Sequence, residues 1–522
     1  MDISLVDPEQ STSLSRAGGR RRDENYSSSA HSDTPLHPRR NLSFDTIGAQ
    51  LLKAKHVHHH VHDLRFKERI RHFTWTWFTM TMATGGVANV IYHVPYRFNG
   101  LYTIGCMFFI LNMVLFLFNV TMISCRFYLY PHTFKASFLH PTESLFIPAW
   151  VISLGTILIN ISEYGIGKAG PWLNHVMCIM FWIYCALAVF FSLGIYLVMW
   201  STQTFTIAEM TPVWIFPAYP LLVIGPHAAV LANKIGKERG LDIVMGGFIF
   251  QGIGFMVSLM IYAAFIYRLM THKLPKESLR PGMFISVGPS GFTISGLVGM
   301  GQVIPELLPD DFMGDGVLAG KVSRIMANWA GLWLWGLAIW FFFVSVGAHY
   351  STVREGGVKF AMTFYSYVFP NTALTASTFA IAKALKNKPI GILGCVMTCL
   401  LICAWAAIFG LMIHAVMVKD ILWPQKQEDR AEGGWEVHPD EKRACDPSCD
   451  SGVLAGNGVA NGPQVPSAQD NTDGQKNDDG VMLSKRRQYG NTGQSASSAA
   501  DRYIDIIGRS ARTAQGRPED MV

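Results

Sequence analysis

The sequence contains few charged residues for its length. Only 15% of its 522 residues are Asp, Glu, Lys or Arg, and 50% are apolar, whereas a soluble domain averages about 25% charged residues. The charged residues are concentrated toward the two ends of the chain, outside residues 72–418. This central segment lacks the side chains that would solvate a soluble domain, so a soluble globular fold is excluded for it.

Motifs of the common enzyme classes are also absent. The chain has no Gly-rich phosphate loop, no His-Glu-x-x-His, no Gly-x-Ser-x-Gly and no Cys-x-x-Cys pair. The run of His56, His58, His59, His60 and His62 has no cysteine or carboxylate constellation beside it, so a solvated segment explains it better than a metal site. The net charge of +6 is modest and spread over both ends. We therefore predict no enzymatic activity, no cofactor, no metal site and no nucleic-acid partner.

The central segment instead contains a series of long apolar runs. A helix needs about 20 apolar residues to cross the hydrocarbon core of a bilayer, and ten such runs fit between residues 72 and 418. They predict an all-α membrane protein with about ten transmembrane helices, flanked by disordered polar tails at residues 1–71 and 419–522. The predicted spans are 73–93, 101–124, 144–165, 173–199, 211–232, 242–267, 281–303, 322–347, 359–382 and 389–417.

Residues that disturb helices are concentrated in the odd-numbered spans. A bundle tolerates them because neighbouring helices satisfy the freed backbone groups, and the even-numbered spans are plainer and more apolar. The alternation predicts five hairpins, each pairing a broken helix that faces the interior with a smooth helix that faces lipid. The disturbing residues are Gly85, Gly86, Pro148, Gly155, Pro212, Pro217, Pro220, Pro226, Gly288, Pro289, Gly291 and Pro370.

Polar residues inside the spans indicate a pathway for a small solute. No Lys or Arg lies near the middle of any span, and the hydroxyl, amide and imidazole groups present there cluster beside the predicted breaks. Each one alone is explained as well by an interhelical hydrogen bond, worth about 1 kcal/mol. As a group they favour transport, because the N–H groups exposed at a broken helix suit an anion. His227 and Glu163 are the candidate proton-coupling groups.

The topology follows from the even number of spans and the basic residues. Both tails lie on one side of the membrane, and Arg65, Lys67, Arg69 and Arg71 before the first span favour the cytoplasmic side. Lysines in two loops on the opposite side weaken this bias. They are Lys234 and Lys237 after the fifth span and Lys383, Lys386 and Lys388 after the ninth.

Several motifs, in order along the chain, resemble those of the tellurite-resistance/dicarboxylate transporter family, and within it the fungal malic-acid permeases. The resemblance covers residues 65–425. The motifs are Phe73-Thr74-Trp75-Thr76-Trp77-Phe78 with Thr84-Gly85-Gly86, His140-Pro141-Thr142-Glu143, Thr211-Pro212-Val213-Trp214, Arg280-Pro281-Gly282-Met283, Val287-Gly288-Pro289, Tyr367-Val368-Phe369-Pro370-Asn371 and Ile421-Leu422-Trp423-Pro424.

This resemblance implies five hairpins around a central pore, three protomers that each have their own pore, and a plasma-membrane location. It also implies a phenylalanine gate in the ninth helix, matched by Phe369 beside the kink at Pro370. The implied solute is malate or a related C4 dicarboxylate, with proton coupling; the alternative is sulfite or another inorganic anion, because fungal sulfite efflux pumps share the fold. The residues we expect to contact the anion are Thr84, Gly85, Gly86, Asn160, Ser290, Thr293, Asn371 and Thr372.

Overall fold

A computed structural model describes residues 65–350 and 359–422 of the chain. The predicted disordered tails lie almost entirely outside the described residues. The histidine run at residues 56–62 and the Trp423-Pro424 end of the last motif lie outside them as well. Predictions about these segments stay predictions.

The described residues form helices and loops, without a β-strand. Ten of the helices have at least 12 residues, and they fall on the ten predicted spans in order. They are α1 (Phe78–His93), α2 (Leu101–Leu129), α3 (Ala149–Asn160), α4 (Trp172–Thr202), α5 (Tyr219–Ala232), α6 (Lys237–His272), α7 (Gly288–Leu307), α8 (Gly316–Ala348), α9 (Phe369–Ala384) and α10 (Lys388–Met417).

Eight of these helical stretches in the described chain are long and apolar enough to cross a bilayer. The two others, α1 and α9, have 16 residues each and are preceded by a short 3₁₀ helix. The prediction of an all-α membrane protein is therefore confirmed.

The odd-numbered helices form a closed inner ring. Along this ring α1 contacts α3, α3 contacts α5, α5 contacts α7, α7 contacts α9, and α9 returns to α1. Each even-numbered helix packs against the odd-numbered helix before it, on the outside. In an 18-residue apolar stretch of the third, fifth and seventh spans 83–94% of the residues are buried, against 22–33% in such a stretch of the even-numbered spans. The predicted hairpins, with odd helices inside and even helices facing lipid, are confirmed.

Every inner helix changes its helical type along its length. Short 3₁₀ helices precede four of the five: Trp75–Trp77 before α1, Pro212–Ala218 before α5, Glu277–Val287 before α7 and Met362–Tyr367 before α9. The helical turn Glu143–Phe146 precedes α3, and a π-helical turn, Ile161–Gly165, follows it. The second residue of α5, α7 and α9 is a proline, which suits a first turn because no N–H is needed there. The prediction of broken inner helices is confirmed.

The break in the first span lies elsewhere than predicted. Helix α1 runs without interruption through Gly85 and Gly86, and the 3₁₀ helix ends at Trp77. Two other inner glycines permit close helix contacts. A Cβ atom on Gly291 would lie 2.8 Å from the backbone of Ala373 in α9, and one on Gly296 would lie 2.9 Å from the backbone of Gly225 in α5. Small residues therefore draw the inner helices together.

The end of the bundle where α2 ends is held by a buried ion pair. Arg126 Nη1 lies 2.6 Å from Glu143 Oε1, and both side chains are fully buried. The hydroxyl of Ser137, in the short helix His132–Leu139, donates to the same carboxylate oxygen at 3.0 Å. The pair links the outer helix α2 to the beginning of the third span.

Candidate functional site

A cavity of about 860 Å³ opens at the end of the bundle where the inner helices finish. Its walls come from the last turns of α1, α5, α7 and α9, the loop after α1, and the beginning of α10. We call this cavity the vestibule. It lies at the C-terminal ends of the inner helices, so their dipoles place partial negative charge around it.

Basic side chains reverse the sign of that charge. Five cationic residues line the vestibule, against one carboxylate, that of Glu306. Such a cavity concentrates small anions near its mouth and steers them inward. The five are Arg97, Lys234, Lys383, Lys386 and Lys388. Sequence reasoning missed this role, although the signal was present as the loop lysines that weakened the positive-inside bias.

Lys386 occupies a backbone position that normally favours glycine. Its φ is 52°, in the left-handed region, just after the end of α9. The next N–H, that of Asn387, donates to the Ala382 carbonyl at 2.9 Å, as in the helix C-cap that glycine usually completes. A charged side chain is thus held in a strained conformation on the vestibule wall, and strain of this kind clusters at functional sites.

A buried carboxylate lies behind the vestibule wall. Glu163, in the π-helical turn after α3, accepts a hydrogen bond at 2.8 Å from the Asn89 side chain. Its Oε1 is also 3.4 Å from Nδ1 of His93. The ammonium of Lys234 donates to the backbone carbonyls of Ser162 and Glu163, at 2.7 and 3.0 Å. The π-helical turn supplies these two carbonyls, so it fixes Lys234 beside the carboxylate.

His227, a residue of α5, is buried at a different place, on the side of α5 that contacts α4. Its ring packs against Phe181 and Tyr184 of α4, with ring centroids 5.4 and 6.4 Å away. Its Nε2 is 3.5 Å from the hydroxyl of Ser162, the residue before Glu163. Of the two predicted proton-coupling residues, Glu163 belongs to the π-helical turn and His227 contacts it. Asn89 and His93, which approach the Glu163 carboxylate, line the vestibule, whereas Phe181, Tyr184 and Ser162, which contact the His227 ring, do not.

Three aromatic side chains, each from a different inner helix, contact one another in the interior of the ring of helices. Phe369 at the start of α9 is buried, and its centroid lies 5.2 Å from Phe292 of α7 and 6.1 Å from Tyr219 of α5. Tyr219 and Phe292 are themselves 6.1 Å apart. The three helices all belong to the inner ring of helices. Because their aromatic side chains contact one another, these side chains lie in the interior of that ring of helices. We call the three side chains the aromatic plug.

The plug lies deeper than the vestibule. Ala376, on the vestibule wall, is seven residues from Phe369 along α9, or about 10 Å at 1.5 Å per residue. The hydroxyl of Tyr219 donates to the Ile285 carbonyl, and its ring takes the space left by the missing side chain of Gly288. The predicted gate residue, Phe369, therefore lies where its phenyl ring can close the interior of the inner ring of helices.

Two of the predicted anion contacts face the outer helices instead. The hydroxyl of Thr84 accepts from the Trp405 indole of α10 at 3.0 Å and donates to the Met80 carbonyl at 2.8 Å. The hydroxyl of Thr293 accepts from Gln251 of α6 at 2.9 Å. These contacts hold both threonines against the outer helices, and their predicted contact with the anion stays a prediction.

Four other predicted residues lie where inner helices touch. The Asn160 amide donates to the Gly85 carbonyl at 3.0 Å, joining α3 to α1. A Cβ atom on Gly86 would lie 2.6 Å from Thr372 Oγ1, which shows how closely α1 approaches α9. These residues form the wall of the inner ring, and none of them lines the vestibule.

Ser290 and Asn371 lie at the level of the plug, directly after the prolines of α7 and α9. Ser290 is fully buried, and the Oδ1 of Asn371 has no hydrogen-bond partner within residues 65–350 and 359–422. Free amides are scarcer here than predicted. The first N–H of α5 and of α7 donates to the preceding 3₁₀ segment. The second residue of each helix is a proline without an N–H. The positive end of each helix dipole is available to an anion at this level.

Comparison with known proteins identifies the family and several relatives of this chain. The model of a family described as voltage-dependent anion channel matches residues 72–413. A malic acid transport protein of Schizosaccharomyces pombe is 33% identical over 383 residues, which are 72% of this chain and 84% of that protein. A putative malic acid transport protein of the same yeast is 30% identical over 72% of this chain and 88% of its own length. A sulfite efflux pump of Arthroderma benhamiae is 24% identical over 67% of this chain and 93% of its own length.

Proposed function

The chain belongs to the voltage-dependent anion channel family, and on that premise we propose that it carries malate or related C4 dicarboxylates. As a member it is a multi-pass membrane protein that transports anions. The family consists of channels and transporters, so we propose no enzymatic activity. The choice of substrate draws on the relatives named for malic acid, which are 33% and 30% identical, against 24% for the sulfite pump.

The observation that carries the proposal is the cationic vestibule above the aromatic plug. A dicarboxylate presents two carboxylates, and each is held best by a charge-assisted hydrogen bond. Five cationic side chains in one cavity can hold both carboxylates at once, whereas a single cation could hold only one. The vestibule therefore supports a small organic dianion as the substrate.

We propose that the anion then passes the plug when Phe369 swings aside. The ring stands at the junction of the 3₁₀ segment and α9, next to Pro370, where the helix can bend. Ser290 and Asn371 are the proposed polar contacts at that level. Gly85, Gly86, Asn160 and Thr372 shape the wall around it.

The cellular setting completes the proposal. We place the protein in the plasma membrane with both ends of the chain in the cytoplasm, so that the vestibule faces outward, and we expect a homotrimer in which every protomer has its own pore. Entry of a dianion into a negative-inside cell opposes about 2.3 kcal/mol per charge for every 100 mV. Coupling to protons would offset part of that cost.

The test is uptake of labelled malate by proteoliposomes that contain the purified protein. Succinate, sulfite and nitrate serve as competitors, with empty liposomes as the control. Malate uptake that succinate blocks and sulfite does not block would support the proposal. Sulfite flux without malate flux would move the chain to the sulfite-transporting branch, which the similarity to the sulfite pump makes the second candidate.

A further inference from the structure

Glu163 is a buried carboxylate whose contacts lead to the vestibule. Its side chain is fully buried, and two of its neighbours, Asn89 and His93, line the cavity. Asn89 satisfies Oε1, whereas Oε2 has no hydrogen-bond partner in the part of the chain that the structure describes. A carboxylate that is buried with an unsatisfied oxygen is costly to keep ionised. If Glu163 served only to join α3 to α1, a glutamine would do the same without that cost.

Charged residues of the vestibule wall lie on several of the elements around this carboxylate. His93 and Arg97 come from the end of α1 and the loop after it, and Lys234 comes from the end of α5. Lys383 lies at the end of α9, and Glu306 stands on the vestibule wall at the end of α7. The ring of Tyr164, the residue after Glu163, contacts the rings of Tyr92 and Tyr102, with centroids 5.2 and 5.4 Å away. The vestibule wall next to Glu163 therefore holds more cations than anions.

We propose that Glu163 and His93 form a proton-binding site whose protonation strengthens anion binding in the vestibule. The inference rests on the proposed function, since it assumes that the vestibule binds the transported anion. His93 lines the cavity with a side chain that is 36% exposed. Its Nδ1 lies 2.9 Å from the Asn89 carbonyl oxygen and 3.4 Å from Glu163 Oε1, so Glu163 is the second acceptor within reach of that nitrogen. A proton from the vestibule reaches His93 and passes to the carboxylate. Glu163 becomes neutral, and His93 returns to its neutral form.

The electrostatic consequence links the proton to the anion. Ionised Glu163 competes with the anion for Lys234 and Arg97; neutral Glu163 leaves those charges to the anion. Because linkage is reciprocal, a bound anion also raises the affinity of Glu163 for the proton. A dicarboxylate that enters with one proton carries one net negative charge instead of two, which lowers the opposing electrical work.

The π-helical turn is a second, independent sign of function at this place. Single π-helical turns occur often at functional sites, and here the turn holds Ser162, Glu163 and the carbonyls that position Lys234. His227 contacts the same turn through Ser162. The site is thus built into the backbone of the inner ring.

The experiment measures anion uptake by proteoliposomes with and without an inward proton gradient, at clamped membrane potential. The readout is the ratio of the two uptake rates, and malate exchange at equal pH on both sides measures basal transport. We expect the wild-type ratio to be about tenfold, within the range of linked binding sites. Glu163→Gln should reduce the ratio to about one while exchange persists. The matched control is Glu238→Gln, an exposed carboxylate at the same end of the bundle outside the vestibule, and it should keep the wild-type ratio.

A wild-type ratio in Glu163→Gln would overturn the proposal. If that variant fails to fold, His93→Gln replaces it, since its side chain is partly exposed: a reduced ratio supports the proton site and an unchanged ratio overturns it. If the wild-type protein moves sulfite and no malate, the proposed substrate fails, and the same ratios measured with sulfite still decide on the proton site. A wild-type ratio of one for the transported anion would overturn the proton site alone.

Discussion

The helices of the inner and outer rings differ in length and in regularity. The outer helices α2, α4, α6, α8 and α10 have 29–36 residues and no break. The α-helical parts of the inner helices have 12–20 residues, and each joins a segment of another helical type. A 12-residue helix is only about 18 Å long, which is too short for a bilayer core of about 30 Å.

The comparison shows what the outer ring makes possible. Irregular backbone is tolerated at membrane depth only where protein surrounds it. Because the outer helices take the contact with lipid, the inner helices can contain prolines, glycines and 3₁₀ turns, and these position the aromatic plug. A change in the inner ring, or at its junction with the outer ring, should therefore affect stability or transport more than a matched change elsewhere.

The largest effect is expected at the ion pair that joins α2 to the third span. Arg126→Met should destabilise the protein by about 3–5 kcal/mol, because it leaves the buried Glu143 carboxylate without its charged partner. The combined variant Arg126→Met, Glu143→Met should recover much of that loss. Thermal unfolding in detergent measures both. Equal stability of the single variant and the wild type would show that the pair does not hold the two rings together.

A smaller effect on stability is expected from a glycine of the inner ring. Gly291→Val should cost about 1–3 kcal/mol by overpacking, because its Cβ would meet the backbone of α9. The matched change is Gly336→Val on α8, where nothing lies within 4 Å of the added Cβ, and it should leave stability unchanged. Size-exclusion profiles after heating measure the difference. Similar losses in both variants would contradict the separation of the rings.

The plug prediction compares two phenylalanines. Phe369→Ala should raise anion flux several-fold, because it removes one of three rings that close the interior. Phe343→Ala on the lipid-facing side of α8, whose side chain is 65% exposed, should leave flux unchanged. Uptake rates of matched amounts of folded protein give the comparison. If folded Phe369→Ala transports at the wild-type rate, the ring does not limit passage.

A substitution at Lys386 distinguishes the effect of the side-chain charge on anion binding from the effect of backbone strain on stability. Lys386→Gly should stabilise the cap by about 1 kcal/mol through relief of the left-handed conformation, yet it should raise the KM for the anion about twofold to fivefold, the effect expected for one lost contact of an exposed charge. Lys273→Gly, at another positive-φ lysine before α7, removes the same charge away from the vestibule and should not change KM. An unchanged KM in Lys386→Gly would remove this lysine from the anion site.

The smallest effect is expected for the pH dependence of stability that arises from His140, in the motif that precedes the third span. Nδ1 of His140 accepts hydrogen bonds from the N–H groups of Thr142 and Glu143, at 3.3 and 3.1 Å, and burial lowers the pKa of its imidazole. The folded protein therefore binds fewer protons here than the unfolded chain does, so stability should fall as the pH drops below about 6.5. The melting temperature should decrease by a few degrees between pH 7 and pH 5, and His140→Asn should reduce that dependence. An identical pH profile in the variant would contradict this account.

The sequence carries more information about the rings than about the site. Prolines and glycines mark the inner helices, and length and apolar composition mark the outer ones, so the hairpins could be predicted. The direction in which a polar side chain points could not be predicted, because an inner helix is buried on all sides and has no amphipathic pattern to orient it. Thr84 and Thr293 are polar residues of inner helices, yet both point outward, to Trp405 and Gln251.

The vestibule escaped prediction for a related reason. Its lysines lie at two distant places in the chain, after α5 and around the connection between α9 and α10, and only the convergence of the inner helices brings Lys234 and Lys383 to one cavity. From the sequence alone, these lysines could be compared only with the rule that basic loop residues lie on the cytoplasmic side, and they were exceptions to that rule. Phe369 was predicted because its motif resembles that of a family with a known gate, and no local pattern would have distinguished it from the other 32 phenylalanines.

The central claim is that the anion passes through the vestibule into the inner ring. The most direct test is uptake of labelled malate by Ser295→Cys, before and after a negatively charged thiol reagent, with the wild type as the control. Ser295 lines the vestibule, whereas the exposed cysteines among residues 65–350 and 359–422, Cys399 and Cys403, lie on the outer helix α10. The account predicts that the reagent blocks uptake in the variant, that malate slows the reaction, and that the wild type is unaffected. Full uptake after complete labelling of the introduced thiol would contradict it.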